Sequence, residues 1–169
     1  GKVIQVNLDF ECLENLSRIS RQDYGLAGAV QHGASTLPND LFNKFPELET
    51  AEIHLATDFQ NMIYDNELFP EDFKKEIYTH LRKNFASEKK GNDTDEQFIY
   101  KTRKKGFGEF KSKFWNLSNE IRTEIGSHLQ KKVKHLFTQL KVVDTLEITK
   151  RTTPLVKVSP ILAQEIASA

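Results

Sequence analysis

The chain has one cysteine, no net charge and no long apolar run, and each absence removes a class of protein. A single thiol, Cys12, excludes an internal disulfide framework. Its place in an amphipathic helical pattern predicts a buried structural thiol, since free cysteine is mostly buried. A cytosolic setting fits this usage. Lys and Arg number 24, matched by 24 Asp and Glu. That balance argues against a partner chosen by bulk charge, such as bare DNA or an anionic membrane. No apolar stretch approaches the roughly 20 residues needed to span a bilayer. The opening Gly1-Lys2-Val3-Ile4 is neither a signal peptide nor an initiator Met, so a fragment or processed product is expected. No internal repeat or low-complexity tract is present.

What is present reads first as alternating helices and strands. Val3 to Val6 suggests a strand or extended segment. Asp9 is a predicted N-cap, Phe10, Cys12, Leu13, Leu16 and Ile19 repeat at helical spacing, and Gly25 is a predicted stop. Leu26 to Val30 is a short apolar run without alternation, which reads as a strand buried on both faces. A loop from Gln31 to Pro38 follows, then a short helix over Asn39 to Phe45. A second strand is expected over Glu52 to Ala56 and a helix over Asp58 to Tyr64. This order predicts parallel strands with right-handed crossovers.

Downstream the pattern becomes helical. Phe73, Ile77, Leu81 and Phe85 step by four. Ser87 to Glu96 reads as a loop with solvated acids, because the acids lack calcium-loop spacing. Leu117, Ile121, Ile125, Leu129, Val133, Leu136 and Leu140 form one stripe of a long helix. Strands are expected around Leu146 to Ile148 and Leu155 to Val158, and Ser159 with Pro160 suggests a last helix start. The cluster Lys101, Arg103, Lys104, Lys105, Lys111 and Lys113, interleaved with Phe107, Phe110, Phe114 and Trp115, suits single-stranded nucleic acid. The favoured alternative is a solvated helix face whose aromatics enter the core.

Two segments carry the candidate chemistry. Ala29-Val30-Gln31-His32-Gly33-Ala34-Ser35 ends a strand in a histidine, a glycine and a hydroxyl. An imidazole there can ligate a metal. The glycine lets backbone N–H groups approach a phosphate. Alone, the segment is also a turn with an incidental histidine. In Glu52-Ile53-His54-Leu55-Ala56-Thr57-Asp58, strand alternation puts Glu52, His54 and Ala56 on one face and Ile53 and Leu55 on the other. Thr57 and Asp58 then open a helix, where a phosphate can rest or where they simply cap it.

The pair, His-Gly-x-Ser-x-Leu-Pro followed by x-Thr-Asp, resembles strands seven and eight of class II, zinc-dependent fructose-bisphosphate aldolases. That family reads His-Gly-Gly-Ser-Gly-hydrophobic-Pro and Asn-hydrophobic-Asp-Thr-Asp. Leu8-Asp9-Phe10-Glu11 before the first segment, and Phe114-Trp115-Asn116-Leu117 leading into a long helix, extend the likeness over residues 7 to 142. The resemblance implies an α/β fold: the last two strands of a (β/α)₈ TIM barrel, with a helical C-terminal extension. It divides the chain into barrel units at 1–66, a helical extension at 67–142 and a tail of unknown role at 143–169.

It implies reversible aldol cleavage of a ketose phosphate to dihydroxyacetone phosphate and an aldehyde. His32 matches a zinc ligand. Gly33 and Ser35 match the phosphate loop, and Thr57 and Asp58 the second phosphate segment. A Na⁺ or K⁺ ion near the phosphate is common in the family. No catalytic residue falls in this chain, because the proton-handling Asp and the other zinc histidines are expected upstream. Implied partners are the sugar phosphate, the missing N-terminal barrel portion and further copies of the chain, in the cytoplasm, with neither membrane nor nucleic acid. The sequence departs from the pattern at Ala34 for Gly, His54 for Asn and Ala56 for Asp. His54 reads equally as a substrate contact or a structural histidine. The departures keep a second possibility open, an aldolase-like sugar-phosphate-binding or scaffold protein. His80, His128 and His135 read as surface or packing residues.

Overall fold

The computed structural model describes residues 8–157. Asp9 caps α1 (Phe10–Gln22), its carboxylate accepting the Cys12 N–H at 2.9 Å. This satisfies one of the amides that a helix start leaves without a partner. The buried face of α1 runs through Leu13 and Ser17, whereas Cys12 and Leu16 are exposed. The expected buried thiol is therefore corrected. Spacing of three and four fits either stripe, and packing of Leu13 with Phe42 and Phe45 decides between them. Gly25 follows the helix end in the left-handed region, at φ +64°, while the Leu26 N–H bonds the Ser20 carbonyl at 2.9 Å.

Two strands follow, β1 (Val30–Gln31) and β2 (Glu52–Ile53), paired in parallel with Val30 opposite Glu52 and Gln31 opposite Ile53. The connection holds 3₁₀ turns at Ala34–Thr36 and Asn39–Leu41 and the short α2 (Lys44–Glu47). Then comes α3 (Thr57–Tyr64). The parallel pairing and its helical crossover match the sequence reading. The α/β class, as the last two strands of a TIM barrel, is overturned. The described residues are mainly helical, and their sheet has two strands of two residues each. Leu26–Val30 does not form a doubly buried strand, because Gly28 breaks the extended run at φ +140° and both Leu26 and Val30 face solvent.

The remainder is a helical assembly: α4 (Glu71–Asn84), α5 (Asp95–Thr102), α6 (Gly106–Glu109), α7 (Lys111–Trp115), α8 (Asn119–Gln139) and α9 (Leu146–Thr152). The four-residue step of α4 buries Phe73, Ile77 and Leu81, as its periodicity predicts. The Ser87–Glu96 stretch is more ordered than a solvated loop. Thr94 and Gln97 form a reciprocal capping box. Asp93 accepts from Lys101 Nζ at 2.5 Å and from the Lys90 N–H at 3.2 Å. The strand expected at Leu146–Ile148 is instead helix α9, whose Thr149 and Thr152 hydroxyls bond the carbonyls one turn back. The expected elements at Val3–Val6 and Ser159–Pro160 lie outside the described residues, as does the end of the Leu155–Val158 run. No helix among the described residues is long and apolar enough to cross a membrane.

Two apolar clusters result. The larger gathers Tyr64, Phe69, Phe73, Ile77, Leu81, Phe98, Ile99 and Ile125, with Phe107, Phe110 and Phe114 packed on it. The smaller holds Leu13, Ala34, Leu37, Phe42, Phe45 and Leu136. The predicted stripe of α8 serves both, through Ile125 and Leu136. The basic segment is not a free cationic patch. Arg103 is buried and donates to both Asp65 oxygens, at 2.7 and 2.9 Å, while Lys105 pairs with Glu88 and Lys113 with Glu76.

Gly106 lets α6 touch the core, since a Cβ there would lie 2.6 Å from the Tyr64 hydroxyl and 2.7 Å from Ile77 Cγ2. Gly106→Ala should destabilise the fold by about 1–3 kcal/mol through overpacking. Gly126, inside α8 with nothing near its Cβ position, should give the reverse: Gly126→Ala gains about 0.5–1 kcal/mol. Denaturant midpoints at constant slope check both.

Tyr64 O–H donates to the Arg103 carbonyl at 2.8 Å, and burial pushes its pKa well above the ordinary 10.0. The folded state thus favours the neutral phenol. That contribution is complete below pH 10 and is lost as pH rises toward the folded value. Chemical denaturation across pH 8 to 12 should show the loss, and Tyr64→Phe should flatten it while costing about 0.5–1.5 kcal/mol at neutral pH for the missing hydrogen bond.

Candidate functional site

The ends of β1 and β2 and the start of α3 meet at an open cleft of about 570 Å³, lined by His32, Gly33, Ser35, Glu52, Ile53, His54, Leu55, Ala56 and Thr57. Its floor is knitted by the two strands. The Ala51 N–H bonds the Ala29 carbonyl and the His54 N–H bonds the Gln31 carbonyl, both at 2.9 Å. Gly28 makes this approach possible, because a Cβ there would stand 2.6 Å from the Glu49 carbonyl oxygen.

On one wall, Gly33 takes the left-handed conformation at φ +75° and starts the Ala34–Thr36 turn. Ala34, where the resembled family has glycine, carries a fully buried methyl group in the smaller core and needs no positive φ. Ser35 Oγ reaches across to accept the Ala56 N–H at 3.4 Å. On the other wall, Ala56 is the N-cap of α3 and has no side chain with which to cap it. The first-turn amides of α3 therefore lack an intrahelical partner beside Ser35 and Thr57. Such an uncapped helix start, flanked by two hydroxyls and a left-handed glycine, is chemically suited to a phosphate.

Strand alternation holds as predicted: Glu52, His54 and Ala56 are exposed at the cleft, while Ile53 and Leu55 turn toward the smaller core. His54 Nε2 lies 2.6 Å from Glu52 Oε1, and its ring sits 4.3 Å from that of His32, tilted by 38°. Gln31 Nε2 donates to the His32 carbonyl at 2.6 Å. Of the predicted site residues, His32, Gly33, Ser35, His54 and Thr57 share the cleft. Asp58 does not line it: its carboxylate pairs with Lys132 Nζ of α8 at 2.7 Å. Glu52 is the residue the motif reading missed, although the alternation already put it on the cleft face.

His32 offers an exposed imidazole, the right donor for zinc. Among the described residues, however, no group of three or more His, Cys, Asp or Glu side chains could hold a metal ion. A catalytic zinc commonly takes three protein ligands. His32 thus fits as one ligand of a set that the described residues do not complete. The remaining histidines are occupied by packing. His80 bonds Asn84 and meets Phe110 edge-on. His128 lies between Asn66 and Glu124. His135 contacts the Asn39 carbonyl.

No family model, curated protein or solved structure matches the chain.

Because the Gly28 contact is with backbone, Gly28→Ala cannot be absorbed by a side-chain shift. It should cost more than about 1 kcal/mol. Amide exchange at Ala51 and His54 should accelerate more than at Ile77 in the helical core, which would localise the damage to the cleft floor.

Proposed function

We propose that this cleft binds the phosphate of a ketose phosphate in a metal-dependent aldolase, to which the chain contributes one zinc ligand and the phosphate-binding loops. The observation that carries the reading is the convergence of His32, Gly33, Ser35 and Thr57, from two separate sequence segments, on one cleft beside an uncapped helix start. The phosphate would be met by the α3 amides, by loop amides at Gly33 and by the hydroxyls of Ser35 and Thr57. His54, with its ring against His32, would meet the carbon skeleton beyond the phosphate. Zinc, when bound, would act as a Lewis acid on the substrate carbonyl. The ligands that complete its set with His32, and the group that handles the proton, would come from outside the described residues.

A second reading, an aldolase-like sugar-phosphate binder with altered or lost chemistry, is favoured by Ala56. Its methyl group occupies the cleft face where the resembled family has a carboxylate. Such a protein would keep the phosphate cradle and lose cleavage.

The discriminating experiment is cleavage of ketose bisphosphates by the natural polypeptide that carries this chain, with and without a zinc chelator. Chelator-sensitive cleavage is expected. His32→Ala should lower both zinc content and turnover, the latter by roughly a hundredfold or more for loss of several kcal/mol of Lewis-acid stabilisation. A folded, zinc-loaded protein that binds ketose phosphates without cleaving them would select the second reading. One that binds no sugar phosphate would sink both.

A further inference from the structure

We infer that Lys132 of α8, which does not line the cleft, is a positioning residue for anion binding there, because its ammonium clamps together the two chain segments that would meet the phosphate. This rests on the phosphate-cradle reading above and assigns to it a residue outside the cleft.

The groups that would meet the anion come from separate segments, Gly33 and Ser35 on one and Thr57 on the other. Local ties between those segments are slight. The strands beneath them pair over two residues each. Above the strands, Ser35 Oγ accepts the Ala56 N–H at 3.4 Å, which is long for a hydrogen bond. Lys132 supplies a further link. Its Nζ lies 2.7 Å from Oδ2 of Asp58, the neighbour of Thr57 in the first turn of α3. The same Nζ donates to Asn39 Oδ1, in the turn that follows Ser35. One turn further along α8, His135 Nε2 is 3.2 Å from the Asn39 carbonyl, so the helix grips that turn twice. The chain between Ser35 and Asn39 has little slack. Leu37 is buried in the smaller core, and the ring of Pro38 restricts its φ.

The Lys132 side chain is 12% exposed and that of Asp58 30%. Replacing a pair this deep by apolar groups often costs little stability, since desolvation offsets the attraction. Its consequence is geometric. A cation behind an anion site can also act by charge alone. The two modes differ in sign at Asp58. If charge alone mattered, removing the Asp58 carboxylate would strengthen anion binding. If the pair is a clamp, the same change weakens it.

The test uses the natural polypeptide, ¹⁵N-labelled, with Lys132→Met, Lys132→Arg, Asp58→Ala and Asn39→Ala. Amide shifts of Gly33, Ser35 and Thr57 during titration with inorganic phosphate read affinity at the cleft. They are measured far below the denaturation midpoint, where lost global stability alone leaves affinity unchanged. Lys132→Met should weaken phosphate binding about tenfold, the size of one hydrogen bond put out of line. Asp58→Ala and Asn39→Ala should weaken it by smaller factors, and Lys132→Arg should keep most of the parent affinity. Equal or tighter binding in Asp58→Ala overturns the inference, as does parent-like affinity in Lys132→Met. Should Lys132→Met not fold, Asp58→Ala together with Asn39→Ala, at an exposed position, decides by the same signs. If the parent binds neither inorganic phosphate nor dihydroxyacetone phosphate, the phosphate-cradle reading fails and the inference fails with it.

Discussion

One ammonium group holds the two walls of the cleft in place. Lys132, near the middle of the 21-residue α8, reaches Asp58 at the start of α3, the Asn39 side chain in the turn after the His32 loop, and the ring face of Phe42 in the smaller core. Its side chain is only 12% exposed, against 30% for Asp58. Screening by water is therefore weaker than for a surface pair, although desolvating both charges offsets part of the attraction. Asp58 also lies in the first turn of α3, where a negative charge is favoured by the helix dipole. The pair thus ties the first turn of α3 to α8. The start of α3 at the cleft is tied to a residue 74 positions downstream of Asp58, Lys132 of α8.

That contact separates the Asp58 carboxylate from the cleft that Thr57 lines. A Thr-Asp pair at a helix start is locally consistent with phosphate binding. Only the distant Lys132 shows that the carboxylate is committed elsewhere. The other members were legible because their placement follows from local rules. Strand alternation decides which of residues 52 to 56 face the cleft, and the glycine at 33 supplies the one conformation the turn requires. Glu52 was equally exposed by alternation, but the motif carried no signal for a carboxylate at that position.

The helices were read better than the strands for a related reason. Four-residue steps in α4 and α8 are long enough to leave a single buried face, and both appear where expected. The apolar run Leu26–Val30 carries no alternation, so sequence alone cannot say whether a sheet surrounds it. A glycine at φ +140° and two solvent-facing apolar residues show that none does among the described residues. In α9, Leu146-Glu147-Ile148-Thr149 has the β-branched content of a strand. Threonine hydroxyls folded back onto helix carbonyls, and the Lys150–Glu147 pair at 2.8 Å, support the helical alternative. Cys12 was misplaced because two helical stripes fit the same spacing and tertiary packing chose the other.

Charge is distributed in a way that gives the cleft its character. The chain carries equal numbers of acidic and basic residues, no Lys or Arg lines the cleft, and several cations are already paired: Lys132 with Asp58, Arg21 with Glu49 at 3.3 Å, Arg103 with Asp65. Within the cleft the one carboxylate, Glu52, is engaged by His54. An anion entering there meets oriented amides and hydroxyls in place of a formal positive charge. The amide dipoles are fixed by the backbone, so the proposed binding would cost little side-chain entropy. The proposed phosphate site, built this way, would select by direction and hydrogen-bond pattern. A cluster of lysines would instead collect anions of any shape.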